Sequence, residues 1–160
     1  MKTIFTIVGL LFIGINSASC STKQHPKDFG FILIHGMGPG DTLDTFKSRI
    51  TKSIDYDRDI STTFILSASQ LDTVYTLMKD IDFFNYPTNF GALEPSITPT
   101  PTYIFRVHLK GSWKTVKWQC GLQSENKQST YLHKLIDLIL RYIWESNEYK
   151  NLPDSKIFYE

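Results

Sequence analysis

Thr62 to Pro87 reads TTFILSASQLDTVYTLMKDIDFFNYP, and its pattern decides the fold. Thr62 to Leu66 is β-branched and aromatic, the composition of a strand. Ser67 with Gln70 three residues on has the spacing of a capping box, in which hydroxyl and amide satisfy two orphan backbone donors. Leu71, Val74, Tyr75, Met78 and Ile81 then recur at intervals of three and four, one apolar stripe of a helix. Phe83, Phe84 and Tyr86 form an aromatic knot expected to close the core beneath the helix end. Pro87 stops any continuation.

Downstream, Thr88 to Pro101 contains Gly91, Pro95, Pro99 and Pro101 and lacks any period, so it reads as a long connection. Tyr103 to Lys110 alternates, with Tyr103, Phe105, Val107 and Leu109 on one face and Ile104, Arg106, His108 and Lys110 on the other. Gly111-Ser112 turns the chain, and Trp113 to Cys120 returns as the second arm of a hairpin, with Val116, Trp118 and Cys120 sharing a face. Thr130 to Trp144 carries a second helix on Leu132, Leu135, Ile136, Ile139 and Ile143. The polar tail Glu145 to Glu160 includes Pro153.

Upstream, Phe29 to His35 (FGFILIH) reads as a buried first strand, broken by the turn Met37 to Asp41. Thr42 to Ile54 places apolar residues at Leu43, Phe46, Ile50 and Ile54, which suits a helical face or a bent strand; Thr45 and Thr51 favour the strand. Asp55 to Asp59 reads as a polar connector. The order β-β-β-α-β-β-α predicts an α+β fold, an antiparallel β-sheet with two helices packed on one face.

The 160 residues are 41% hydrophobic and 14% aromatic, enough for one globular domain over 29–160 and unlike a disordered chain. Residues 1–19 read as a signal peptide: Lys2, an apolar run from Ile4 to Ile15 too short to span a bilayer, then Ser17-Ala18-Ser19. Ser17 to Cys20 resembles a lipobox with Ser17 where Leu is usual. Cys20 is therefore the expected lipidation site, and 20–28 a polar tether. Ordinary cleavage after Ser19 is the alternative, in which case Cys20 could pair with Cys120. Loss of Lys2 leaves 16 basic against 16 acidic residues. That balance gives no electrostatic footprint for nucleic acid, and attachment to the membrane is expected through lipid.

LDTF (Leu43 to Phe46), Leu66-Ser67, Val74-Tyr75, IDFFNYP (Ile81 to Pro87) and EYKNLP (Glu148 to Pro153) together resemble a family of small secreted bacterial lipoproteins. The resemblance implies this architecture and a cell-envelope location. It transfers no catalytic residues.

Several stretches suggest chemistry. Phe31 to Gly38 is similar to the strand and His-Gly turn of α/β-hydrolases, but the chain has no Gly-x-Ser-x-Gly elbow. Asp55, Asp57 and Asp59 open like a calcium loop, yet Ile60 and Leu66 stand where Gly and a bidentate Glu belong. His25, His35, His108 and His133 show no ligand spacing, so no metal and no cofactor is expected. Arg106, His108, Lys110 and Lys117 could line one sheet face as an anion-binding strip, and Trp113 near the hairpin tip is the candidate contact residue. The expectation is a non-enzymatic, lipid-anchored binding domain whose partners are the membrane and another envelope protein. The rivals are an envelope-acting hydrolase, which needs His35 or His108 joined to a carboxylate and a nucleophile, and a structural spacer.

Overall fold

In the computed structural model, which describes residues 24–37, 40–91, 101–119 and 127–157, two helices lie over one face of a β-sheet. The strands are β1 (Gly30–Gly36), β2 (Asp41–Asp44), β3 (Arg49–Asp55), β4 (Arg58–Thr63), β5 (Asn89–Gly91), β6 (Thr102–Leu109) and β7 (Ser112–Gln119). The helices are α1 (Ala68–Asp80), α2 (Lys127–Glu145) and the single turn α3 (Asn147–Lys150). The spatial order is β4-β3-β2-β1-β6-β7-β5. The fold is α+β.

Register sorts the two faces. Leu33 lies opposite Leu43 and Phe105, Leu43 opposite Ile50, and Phe105 opposite Val116, all five at 0 or 1% exposure. Against this face α1 sets Val74, Tyr75 and Met78, and α2 sets Leu132, Leu135, Ile136, Ile139 and Ile143. Each such side chain contributes about 1.5–3 kcal/mol of burial, which makes the sheet–helix seam the main source of stability. Ser67 caps α1 through the full capping box, its Oγ accepting from the Gln70 N–H and the Gln70 Oε1 accepting from the Ser67 N–H. The aromatic knot closes the core as expected: Phe83 and Tyr86 are buried, and Phe83 meets Phe105 edge-on at 5.4 Å.

The sheet departs from the expected one in three places. Thr42 to Ile54 is not one bent strand but β2, a turn and β3. The buried Asp44 carboxylate accepts the N–H groups of Phe46 and Lys47 and so folds the chain back on itself. Asp55 to Asp59 is not a connector; only Tyr56-Asp57 turns, and β4 starts at Arg58 instead of Thr62, leaving Phe64 and Leu66 buried beyond the strand's end. Asn89 to Gly91, inside the supposed structureless connection, adds to β7 as a parallel edge, so the sheet is mixed and not wholly antiparallel. Phe90 holds that edge by packing on Tyr86 and Trp118. The element order is accordingly β-β-β-β-α-β-β-β-α, closed by α3. Cys20, Cys120 and residues 1–19 lie outside the described residues. Among the described residues, no helix is long and apolar enough to cross a membrane.

Candidate functional site

The face of the sheet turned away from the helices carries a compact aromatic and cationic cluster at one end. β6 and β7 join through the two-residue turn Lys110-Gly111, which places His108 directly opposite Trp113 and Arg106 opposite Thr115. The rings of His108 and Trp113 are 5.1 Å apart, and the Arg106 guanidinium stands 5.5 Å from the Trp113 ring centre. Phe46, delivered from the β2–β3 turn, closes the group at 5.3 Å from Trp113 and 6.4 Å from His108.

Glycine makes that approach possible. Gly30 in β1 lies opposite His108, and a Cβ there would stand 2.5 Å from the Phe46 ring. The missing side chain is the berth on which the ring rests. Phe46 and Trp113 remain 47% and 53% exposed, a large apolar surface for two neighbouring residues.

Asp28 pins the cluster from below. Its Oδ2 accepts the Gly111 N–H at 2.8 Å, and its backbone carbonyl accepts from His108 Nδ1 at 2.9 Å. A carbonyl can only accept, so Nδ1 carries the hydrogen. His25 fastens the same segment to α1: its backbone N–H and its ring Nδ1 both reach Asp72 Oδ1, at 2.7 and 2.6 Å. These bonds hold the Asp72 carboxyl below the usual carboxylate range, the backbone bond contributing most. Residues 24–28, read from sequence as the end of a tether, are thus tied to the domain at two points.

Of the residues expected to form a contact surface, Arg106, His108 and Trp113 come together. Lys110 sits beside them in the turn instead of on the sheet face, and Lys117 shares the face but lies farther down β7, opposite Ile104. Phe46 was missed because its spacing from Leu43 and Ile50 suggested a core position. The Asp-x-Phe-Lys sequence of an Asx turn was the available signal.

A second polar group occupies the other end of the sheet. Asp41 Oδ2 accepts the Tyr149 O–H at 2.7 Å and Oδ1 accepts the Ser53 N–H at 3.0 Å, while Lys52 Nζ lies 4.8 Å from the Tyr149 ring centre. Burial and the Asp41 carboxylate push the Tyr149 hydroxyl well above its usual value. His35, opposite Asp41 in the ladder, is pulled below its usual value by burial, with Asp41 opposing. This group ties α3 to the sheet. His35 and His108 project from opposite faces, as their odd separation from shared neighbours along β1 and β6 requires: His35 pairs with Tyr103, His108 with Gly30.

The exposed cluster is flat and amphipathic. It can cover an apolar surface with its rings and meet anionic groups with its cations, which is binding chemistry. No family model matches the chain, and no curated protein matches it.

Proposed function

We propose that this chain is an exported, lipid-anchored cell-envelope protein whose folded domain is a non-enzymatic binding module. Cys20 carries the lipid, the leader 1–19 directs export, and the bare face of the sheet makes the contact. The observation that supports binding is the cluster of Phe46, His108 and Trp113 beside Arg106, with two large rings about half exposed and backed by a glycine berth.

Anchoring is tested by feeding cells a fatty-acid analogue. The wild-type chain takes up label and Cys20→Ala does not; a wild-type chain without label is secreted free. Binding is tested by a photo-crosslinking amino acid at position 113 in whole cells. A product at 113 that is absent when the probe sits at Lys134, on the exposed side of α2, supports the reading. Equal yields from both positions count against it.

A further inference from the structure

We propose that the end of the sheet carrying Phe46, Trp113, Arg106 and Lys110 docks onto the anionic headgroup surface of the bilayer that holds the Cys20 lipid. This rests on the anchored reading above and names what the bare face touches.

Reach is the first argument. Only three residues separate Cys20 from Gln24, four Cα–Cα steps, so even fully extended the chain between them spans about 14 Å. Immediately after Gln24 the chain is fixed: His25 is bonded to Asp72 and packs on Phe29, and Asp28 is bonded to the β6–β7 turn and to His108. A lipid on Cys20 therefore holds this end of the domain, and not the other, against the membrane.

Charge is the second. The loops at this end present Lys27, Lys47 and Lys110, and β6 adds Arg106, all exposed. Two carboxylates stand among them, Asp28, bonded to the Gly111 N–H, and the buried Asp44, which pairs with Lys47 at 3.6 Å, so the cations outnumber them two to one. The opposite end is mixed in charge: Asp55, Asp57 and Asp59 at the β3–β4 turn are interleaved with Arg58, Lys52 lies over the Tyr149 ring, and Asp154 lies near Lys156, whose N–H bonds to Ile54 O. Four exposed cations are thus gathered at one end although residues 20–160 sum to zero charge. An anionic surface attracts the end that carries them, and each basic residue close to such a surface raises affinity about fivefold.

Ring chemistry is the third. Indole rings concentrate at the depth of lipid headgroups, where an apolar body and a polar edge are both satisfied. Trp113 and Phe46 supply that at the level of the cations. The backbone also departs from its comfortable range here. Ser48 and Lys110 take left-handed φ values of 48° and 51° in the two loops that carry the cluster.

The test uses the chain as cells process it, reconstituted in vesicles containing roughly a third phosphatidylglycerol, with bromine on the lipid tails as a contact quencher. Trp144→Phe removes the other exposed indole, and the buried Trp118 remains as background. The expected result is at least a twofold loss of Trp113 emission, abolished by Trp113→Phe and weakened when phosphatidylcholine alone is used. Arg106→Gln with Lys110→Gln lowers it in the anionic vesicles. Protein that floats with the vesicles while Trp113 stays unquenched overturns docking and leaves anchoring intact. Protein that neither floats nor quenches overturns both. Quenching in a Cys20→Ala chain without lipid supports docking and shows that the contact does not need the anchor. A protein crosslinked at position 113 with no quenching assigns the face to that protein and overturns the proposal.

Discussion

Lys110→Asn should make the domain more stable and its membrane contact weaker. Lys110 and Gly111 form a two-residue hairpin loop between the paired residues Leu109 and Ser112, with φ values of 51° and 75°. Positive φ at both central residues is the signature of a type I′ turn, where Asn-Gly is the favoured pair. A left-handed conformation costs an ordinary side chain roughly 1–2 kcal/mol, and Asn recovers part of it. The expected gain is about 0.5–1 kcal/mol, or a rise in Tm of about 1–4 °C for a chain of this size. Lys110 is exposed, and the Gly111 N–H bond to Asp28 survives the exchange, so little else changes. The lost charge should meanwhile reduce partition into anionic vesicles about fivefold, equivalent to about 1 kcal/mol. Urea unfolding with a shared m value reads the first effect and vesicle flotation at low salt reads the second. A drop in stability would refute the turn argument. A gain in stability with unchanged partition would show that Lys110 does not face the membrane.

The remaining expectations concern the clamps that hold the sheet, helices and N-terminal segment together. Ser67→Ala removes one half of the capping box and should lower unfolding free energy by about 1 kcal/mol, measured in urea; Ser67→Gly should cost only a few tenths. The Asp72 carboxyl is depressed by its bonds to His25, so its contribution is complete above the ordinary carboxylate range and disappears as pH falls through the lower folded-state value. Urea midpoints between about pH 5 and pH 2 should therefore fall more steeply in the wild type than in Asp72→Asn; parallel curves would remove the His25 clamp from the account. Tyr149 is shifted the opposite way, upward, so its contribution is whole below about pH 10 and is lost as pH rises beyond that toward the folded-state value. Tyr149→Phe should cost roughly 1 kcal/mol at neutral pH, since a bond to a carboxylate is discounted at a partly buried site, and should flatten the alkaline limb of the unfolding curve.

What the sequence disclosed and what it hid divide along one physical line. Local periods were legible: the stripe of α1 from Leu71 to Ile81, the alternation of β6 from Tyr103 to Leu109, and the stripe of α2 all lie where spacing placed them, because burial on one face imposes the period. Turns closed by a side chain were not. Asp44 and Thr45 look like strand residues in LDTF, yet Asp44 caps a reversal and the Thr45 hydroxyl sits between the N–H and the carbonyl of Phe31, standing in for the next rung of the ladder. A short edge such as β5 has three residues and no period to detect, and its place is set by Phe90 finding Tyr86 and Trp118.

The candidate site depends on the same non-local facts. Arg106, His108 and Trp113 were visible by alternation as polar-face residues of a hairpin, but the turn is Lys110-Gly111 and not Gly111-Ser112, and that shift is what sets His108 opposite Trp113. Phe46 was not, because its position over Gly30 follows from β1 lying between β2 and β6, which no local pattern encodes. Net charge hid the most. Residues 20–160 hold sixteen basic and sixteen acidic residues, which sum to nothing, and only the up-and-down order of the strands sorts their turns, sending those that hold Lys47 and Lys110 to the end where Asp28 is bound and the one that holds Asp57, with Arg58 beside it, to the other. In an antiparallel sheet alternate turns lie at the same end, so a chain can hold zero net charge and still gather cations at one end of its strands. The local field of such a cluster, and not the total charge, is what steers association with a charged surface.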